Sequence, residues 1–267
     1  MWWIVTAVVF LLFAGVAYVA ELVFRSDWRQ MARLSEMSCA DVAALAATAR
    51  EAGGSFGETV QVNGVTAEGP GGLMTAPLSR RKCVWWEYQV SRVYWREPAE
   101  KDDKAQPTRV TEHLGHRHST DRFLLTDESG SVAVSLGANR PEGTVGSHFA
   151  DYARSELGSS SRAVPEQVLN AAAKTRDDSR TISYEIREHI LTPGVPLFVQ
   201  GEASDRAGQV VIGRPRRTNA KLIVSVIGRD QLILDKKADQ RLARAVRLGL
   251  TVIAGLSLFF YLLTLVF

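Results

Sequence analysis

The stretch 83–95, CVWWEYQVSRVYW, alternates its side chains between two faces and is rich in aromatic and β-branched residues. A period of two with this composition is typical of a β-strand. One face would carry Trp86 and Tyr88, and the other would carry Trp85 and Glu87. Core packing of both tryptophans is the simplest interpretation, and an exposed one could contact a partner or the membrane interface. A strand of this length predicts a β-rich domain around it.

The neighbouring segments extend this pattern. Further strands are predicted at 58–65, 123–125, 132–134, 181–190, 196–199, 210–212 and 222–226. Short helices are predicted at 38–50, where Ser38 and Asp41 form a capping box, and at 149–157 and 165–174. Because strands and helices do not alternate as βαβ units, we expect an antiparallel sheet. The predicted fold class is α+β, with a small barrel or sandwich and a few short helices.

Both ends of the chain are apolar. Residues 2–20 and 248–267 carry no charged side chain, and Glu21 interrupts the first run before Phe24. A helix rises about 1.5 Å per residue, so each run could cross the roughly 30 Å of a bilayer core. The alternatives are a cleaved signal peptide for the first run and a buried core helix for the second. We expect two membrane-spanning helices that flank the β-rich domain.

The charges beside these runs predict an orientation. Lysine and arginine follow the first run and precede the second: Arg25, Arg29, Arg33, Lys236, Lys237, Arg241, Arg244 and Arg247. Such residues stay on the cytoplasmic side of a membrane. We therefore expect a two-pass protein of a bacterial plasma (inner) membrane, with a cytoplasmic central domain and both termini outside.

These features divide the chain into five parts. The predicted parts are a transmembrane helix at 2–24, a juxtamembrane segment with a helix at 25–57, the β-rich domain at 58–228, a basic juxtamembrane helix at 229–247 and a transmembrane helix at 248–267.

Cysteine content and net charge exclude some classes of protein. The 267 residues include only Cys39 and Cys83, which is too few for a zinc finger or a RING within this chain. At most one disulfide can form, and a cytoplasmic domain would keep both thiols reduced. A net charge of +3 is too small to indicate a nucleic-acid partner by itself.

The spacing H-x-x-H-x-H at His113, His116 and His118 is the strongest candidate for a metal site. Imidazole and carboxylate ligands suit zinc. Metalloproteases, however, place H-E-x-x-H on a helix, and Gly115 disfavours a helix here. A polar strand end is the favoured interpretation, so no metal and no cofactor is expected.

One basic cluster lies inside the predicted domain. Its members are Arg214, Arg216, Arg217 and Lys221. It could be a solvated hairpin loop, a contact to anionic lipid headgroups, or a contact to nucleic acid.

Three stretches in order resemble the GIDE family, also called the beside-a-membrane (BAM) domain family. They are LMTAPLSRRKCVWWEY at 73–88, FLLTDESGSVAV at 123–134 and EHILTPGVPLFVQGE at 188–202. With the two apolar ends, the resemblance covers residue 38 to the end of the sequence. The family-motif positions are Pro77, Cys83, Asp127, Gly130, Pro193, Gly194, Gly201 and Glu202.

The resemblance implies a membrane-tethered domain that contacts other proteins close to the bilayer. In a mitochondrial relative, ubiquitin transfer belongs to a RING, for which this chain has too few cysteines. We therefore expect a non-catalytic interaction or scaffolding module whose partners are the bilayer and an unknown membrane or membrane-proximal protein. The alternatives are a metal-dependent hydrolase that uses the histidine cluster and a membrane-tethered nucleic-acid binder.

Overall fold

The computed structural model describes residues 2–97, 106–144, 146–157, 164–175, 180–206, 208–216 and 221–266. In chain order the elements are α1 (Trp2–Arg33), α2 (Cys39–Glu51), β1 (Gly57–Ala67), β2 (Met74–Thr75), β3 (Lys82–Cys83), β4 (Trp85–Arg96), β5 (Thr108–His118), β6 (Phe123–Asp127), β7 (Gly130–Val134), β8 (Gly146–Ala153), α3 (Glu166–Ala172), β9 (Thr181–Leu191), β10 (Pro196–Arg206), β11 (Gln209–Gly213), β12 (Ile223–Ser225) and α4 (Arg229–Val266). They form two compact units, one of α1 with α4 and one spanning Glu36–Val226.

The first sheet of the Glu36–Val226 unit closes into a barrel. Its strands follow the order β1-β6-β7-β11-β10, and β1 pairs with β10 to complete the ring. In this ring only β7 and β11 run parallel, and β12 pairs with residues 198–200 of β10, before the segment that pairs with β11. A ring of this size leaves room inside for side chains only. The predicted α+β fold with a small, mainly antiparallel barrel is therefore confirmed.

Apolar side chains fill the barrel, and α2 packs on it. Buried members of this core include Val60, Val62, Phe123, Leu125, Val199 and Ile212. Cys39, Val42 and Ala46 add the inner face of α2 to the same core. The capping box predicted at Ser38 and Asp41 is confirmed, because each group bonds the other's backbone N–H. Local capping thus starts α2 where its apolar stripe can reach the barrel.

The second sheet has the order β5-β4-β9-β8 and is antiparallel throughout. One of its faces is apolar and packs against α3 through Tyr88, Tyr184 and Val168. Trp85 lies on the opposite face, at the end of β4, and is buried in the barrel core. Trp86 is half-buried on the α3 side, so each tryptophan contributes to a different core.

One predicted helix is wrong. The segment 149–157 forms most of β8, followed by a 3-10 turn at Arg154–Glu156. Ala150 and Tyr152, two residues apart on β8, both point into the core beneath the sheet. They pair with Ile186 and Tyr184 of β9. Pairing with a neighbouring strand outweighs the weak local preference for a helix. The predicted helix at 165–174 is confirmed as α3.

The other unit is a pair of antiparallel helices, α1 and α4. Trp28 Nε1 donates to Gln240 Oε1 over 2.7 Å, and Glu21 lies beside Arg247. Glu21 Oε2 and Arg247 Nε are 3.0 Å apart but are not aligned for a hydrogen bond. Both helices are long and apolar enough to cross a membrane, and most of their apolar side chains are exposed. The unit is therefore suited to membrane association.

Candidate functional site on the second sheet

The predicted histidine cluster lies on β5, at one edge of the second sheet. Val90 of β4 pairs with Gly115 and Ser91 pairs with His113, so Leu114 is an extra residue in a β-bulge. Simple alternation would place His113 and His116 on opposite faces. The bulge instead brings His113 to the same face as His116 and His118, while Leu114 packs towards α3. This face, which we call the histidine face, lies opposite the α3 side.

His113 is held by two side chains of β4. Its Nδ1 atom lies 3.0 Å from Ser91 Oγ and forms a short contact with the Gln89 amide. Ser91 is buried, whereas His113 is exposed. The contacts fix one edge of the imidazole and leave the rest of the ring open to solvent.

Glu87 lies at the centre of the histidine face. Its side chain is only 3% exposed. His118 on β5 and His189 on β9 pair with it from the two neighbouring strands. Arg140, from the segment after β7, contacts the carboxylate through its guanidinium, with Nε 3.0 Å from Oε1. His116 Nε2 lies 3.4 Å from the same oxygen.

These contacts shift two pKa values. Burial acts to raise the pKa of Glu87, but the hydrogen bonds and charge of Arg140 outweigh it and lower that pKa below its usual value. Burial lowers the pKa of His189, and the positive charge of Arg140 lowers it further. Glu87 is therefore kept as a carboxylate and His189 as a neutral imidazole.

The histidine face does not assemble a metal centre among the residues that the structure describes. No group of three histidine, cysteine, aspartate or glutamate side chains is placed to hold one ion there. The rings of His116 and His118 are 5.5 Å apart and tilted, and Glu87 is already bonded to Arg140. The face therefore offers hydrogen bonds and charge rather than a ready set of ligands.

A groove of about 570 Å³ runs between β5 and α3, behind the histidine face. Its walls are residues 114–117 of β5 and the exposed side of α3 with Lys174. Its floor is formed by Tyr88 and Val90, which are otherwise buried. A Cβ atom added at Gly115 would meet no atom within 4 Å, so the groove is open at that point.

A match to a family model shows which family the chain belongs to. The model of the GIDE family, described as E3 ubiquitin ligase, matches residues 95–259. The chain belongs to the GIDE family. The match covers more than half of the sequence and runs from the end of β4 into α4. No curated protein and no solved structure matches the chain.

The matched region contains two of the three stretches that carry the predicted GIDE resemblance. Both include positions predicted as structural. Gly194, with φ of 81°, makes the turn between β9 and β10 after Pro193. Gly201 lies on β10 close to Gly213, the last residue of β11, and the carboxylate of Glu202 accepts the Arg216 N–H over 2.8 Å.

Asp127 links the β6–β7 hairpin to α2. Its carboxylate accepts N–H bonds from Ser129, Gly130 and Cys39, the last over 2.8 Å. Burial acts to raise the pKa of Asp127, but the hydrogen bond from the Ser129 hydroxyl, together with these N–H bonds, prevails and lowers that pKa to about 2. Gly130 has a positive φ of 157°, which residues other than glycine rarely adopt, and the Asp127 carboxylate bonds to the turn beside it.

The stretch before the matched region forms the β2–β3 hairpin, which holds Pro77 and Cys83. Burial raises the pKa of the Cys83 thiol to about 11, and the same holds for Cys39. Neither is suited to act as a thiolate nucleophile near neutral pH. Both are free.

Glu188, quoted only as the first residue of a motif, anchors this hairpin. It is fully buried, and its carboxylate accepts the Leu78 N–H over 2.7 Å, the Ser79 N–H over 3.0 Å and the Ser147 hydroxyl over 3.0 Å. Arg80, next along the hairpin, has φ of 57°, a conformation uncommon for residues other than glycine. A charged residue inside a strand that is otherwise apolar on one side was the available signal for Glu188.

The predicted basic cluster lies between β11 and β12, away from the strands that carry the histidine face. Arg214, Arg216 and Lys221 are exposed, and Arg217 lies outside the described residues. Sequence reasoning assigned no role to Arg140 and His189, which the fold brings to Glu87 from distant positions.

Proposed function

We propose that this GIDE chain is a non-catalytic recognition module, anchored in a membrane by α1 and α4, that binds an extended segment of another protein along β5. The observation that carries this proposal is the open edge of the second sheet with the groove beside it. The anchoring is supported by the family match and by the two apolar helices.

The edge of β5 is suited to strand addition. It is 11 residues long, and among the described residues its only strand partner is β4. Unpaired N–H and C=O groups along an edge can bind an extended peptide, while a neighbouring groove takes alternate side chains. Tyr88 and Leu114 give this groove an apolar floor and wall, and Arg117 and Lys174 place cations at its rim.

The contacts on the histidine face favour a non-catalytic role. Ser91 and His113 are close enough for a nucleophile and its base, but His113 Nδ1 also contacts the Gln89 amide. Among the described residues, no carboxylate contacts His113 to orient it as a base. Serine hydrolases need that third group and an oxyanion site. Within this sequence, Cys39 and Cys83 are too few to form a RING.

The groove can be tested with two substitutions at one position. Gly115→Trp would fill the groove, and Gly115→Ala would leave it open, because an added Cβ at Gly115 meets no neighbour. Proteins captured with the full-length, membrane-embedded chain should be retained by Gly115→Ala and lost with Gly115→Trp. Both variants should unfold at the wild-type temperature. Capture of the same proteins by Gly115→Trp would exclude this groove as the binding surface.

We further propose that the membrane is the bacterial inner membrane and that the Glu36–Val226 unit faces the cytoplasm. The support is the excess of arginine and lysine directly after the apolar run of α1 and directly before the apolar run of α4.

A further inference from the structure

The helical pair carries a group of cations beside which the described side chains include no ion-paired carboxylate. We define the basic band as Arg25, Arg29 and Arg33 of α1 with Lys237, Arg241 and Arg244 of α4. Among the described residues, none of these side chains forms an ion pair with a carboxylate. The arginines on either side of the band do: Arg247 lies beside Glu21, and Arg229 lies 3.8 Å from Asp230. Among the described side chains, no carboxylate therefore offsets the positive charge of the band.

Trp28 lies between two cations of the basic band, and its ring is held in place by a hydrogen bond. Its indole N–H donates to Gln240 on the opposite helix over 2.7 Å, which holds the ring between α1 and α4. The Arg29 guanidinium lies 5.6 Å from the ring centroid, and the Lys237 ammonium lies 5.0 Å from it. One indole thus gathers a cation from each helix. Two like charges at one ring repel each other unless an anion lies with them.

The position of the basic band along the helices indicates which kind of anion would bind to it. The first apolar run ends at Phe24, and the second begins at Leu248. Phe24 lies within about two helical turns of Arg29 along α1, and Leu248 lies about one turn from Arg244 and about three turns from Lys237 along α4. Tryptophan is enriched at the depth of the lipid headgroups. An anion bound here would have its phosphate at the cations and apolar chains along exposed side chains such as Leu248.

We propose that Trp28, Arg29 and Lys237 form a binding site for the phosphate of an anionic phospholipid. The two cations donate to the phosphate oxygens, and the indole fixes their separation through its bond to Gln240. Such a lipid joins the two helices from the outside, at the end of the pair nearest the folded unit in sequence. Neither the β5 groove nor the histidine face takes part in this site.

The test uses the full-length chain in vesicles of equal parts phosphatidylcholine and phosphatidylglycerol. Native mass spectrometry after extraction measures which lipid remains bound. Wild type should retain phosphatidylglycerol in preference to phosphatidylcholine, and Arg29→Gln with Lys237→Gln should reduce that preference about fivefold for each cation removed. The matched control, Arg214→Gln with Arg216→Gln, removes the same charge from the exposed loop and should keep the preference.

Three outcomes would overturn the proposal. The double variant at Arg29 and Lys237 could keep the full preference, or the control could lose it equally. Excess inorganic phosphate could abolish the preference in wild type, which would identify a site for free phosphoryl anions rather than for lipid. Should the double variant fail to insert, Lys237→Gln alone leaves α1 unchanged and should still lose about fivefold.

Discussion

Glu87 shows how a single residue connects the two sheets of the folded unit. It lies in an aromatic strand, on the face that also carries Trp85, and its carboxylate is almost completely buried. Burying a carboxylate is costly unless it is paired and hydrogen-bonded. Arg140 supplies that pairing from the segment after β7, so the barrel and the second sheet share one ion pair.

Removing the positive charge of Arg140 should therefore destabilise the folded unit. Arg140→Gln should lower the free energy of unfolding by about 2 kcal/mol at neutral pH, less than for a fully buried pair because Arg140 is 41% exposed. Glu87 has a lowered pKa when folded, so its contribution is complete above its unfolded value of 4.5 and is lost as pH falls through the folded pKa. The difference between variant and wild type should thus narrow below about pH 4.5.

Denaturant unfolding of both proteins between about pH 7.5 and pH 3.5 measures this effect. Arg92→Gln is a useful comparison, because Arg92 lies on β4, as Glu87 does, and pairs with the carboxylate of Glu112 on the opposite face of that strand. A difference between wild type and Arg140→Gln that is constant across this pH range would contradict the assignment to Glu87.

At the scale of the element, single positions in strands set register and spacing. The bulge at Leu114 determines which histidines share a face, and no helical or strand periodicity predicts it. Gly201 has a different role, because β10 and β11 approach each other closely there. A Cβ at Gly201 would lie 2.7 Å from the Gly213 carbonyl oxygen and 2.8 Å from Leu222 Cδ1.

Gly201→Ala should therefore destabilise the barrel, because a backbone atom would have to move. The expected loss is roughly 1–3 kcal/mol of unfolding free energy, typical of overpacking. Gly115→Ala, where the added carbon meets open space, is the matched control and should leave stability nearly unchanged. Thermal unfolding of the detergent-solubilised chain measures both. Equal melting temperatures would show that β10 and β11 can separate at no cost.

At the scale of the whole molecule, the chain combines a folded unit with a pair of apolar helices, one before it and one after it in sequence. Residues 36–226 lie between the two helices, so both connections to the helical pair are short in sequence. With the anchoring proposed above, a domain connected in this way would stay close to the bilayer, which would raise its effective concentration towards membrane partners.

Orientation is the prediction that belongs to this scale. A reporter that is active only in the cytoplasm should work when inserted at Asp102 and should fail when fused after Phe267. A periplasmic reporter should give the reverse pattern, because the positive charges beside the apolar runs are retained inside. Cytoplasmic activity of the fusion after Phe267 would reject the proposed orientation.

The sequence by itself determined the features that depend on neighbours along the chain. The alternation in 83–95 gave β4, the capping box at Ser38 gave α2, and the uncharged ends gave the two apolar helices. The motif order also indicated the GIDE family, which the match over 95–259 confirmed. These signals are local, because a helix or strand shows its period and its caps within a few residues.

The tertiary structure alone decided the features that join distant residues. The segment 149–157 became a strand because β9 offered a partner. Glu87 met His189 because β9 pairs with β4, and it met Arg140 because the segment after β7 packs against that strand. The meeting of Trp28 with Lys237 likewise follows from the pairing of α1 with α4. Such contacts follow from packing and pairing energies between elements far apart in sequence, which no local pattern encodes.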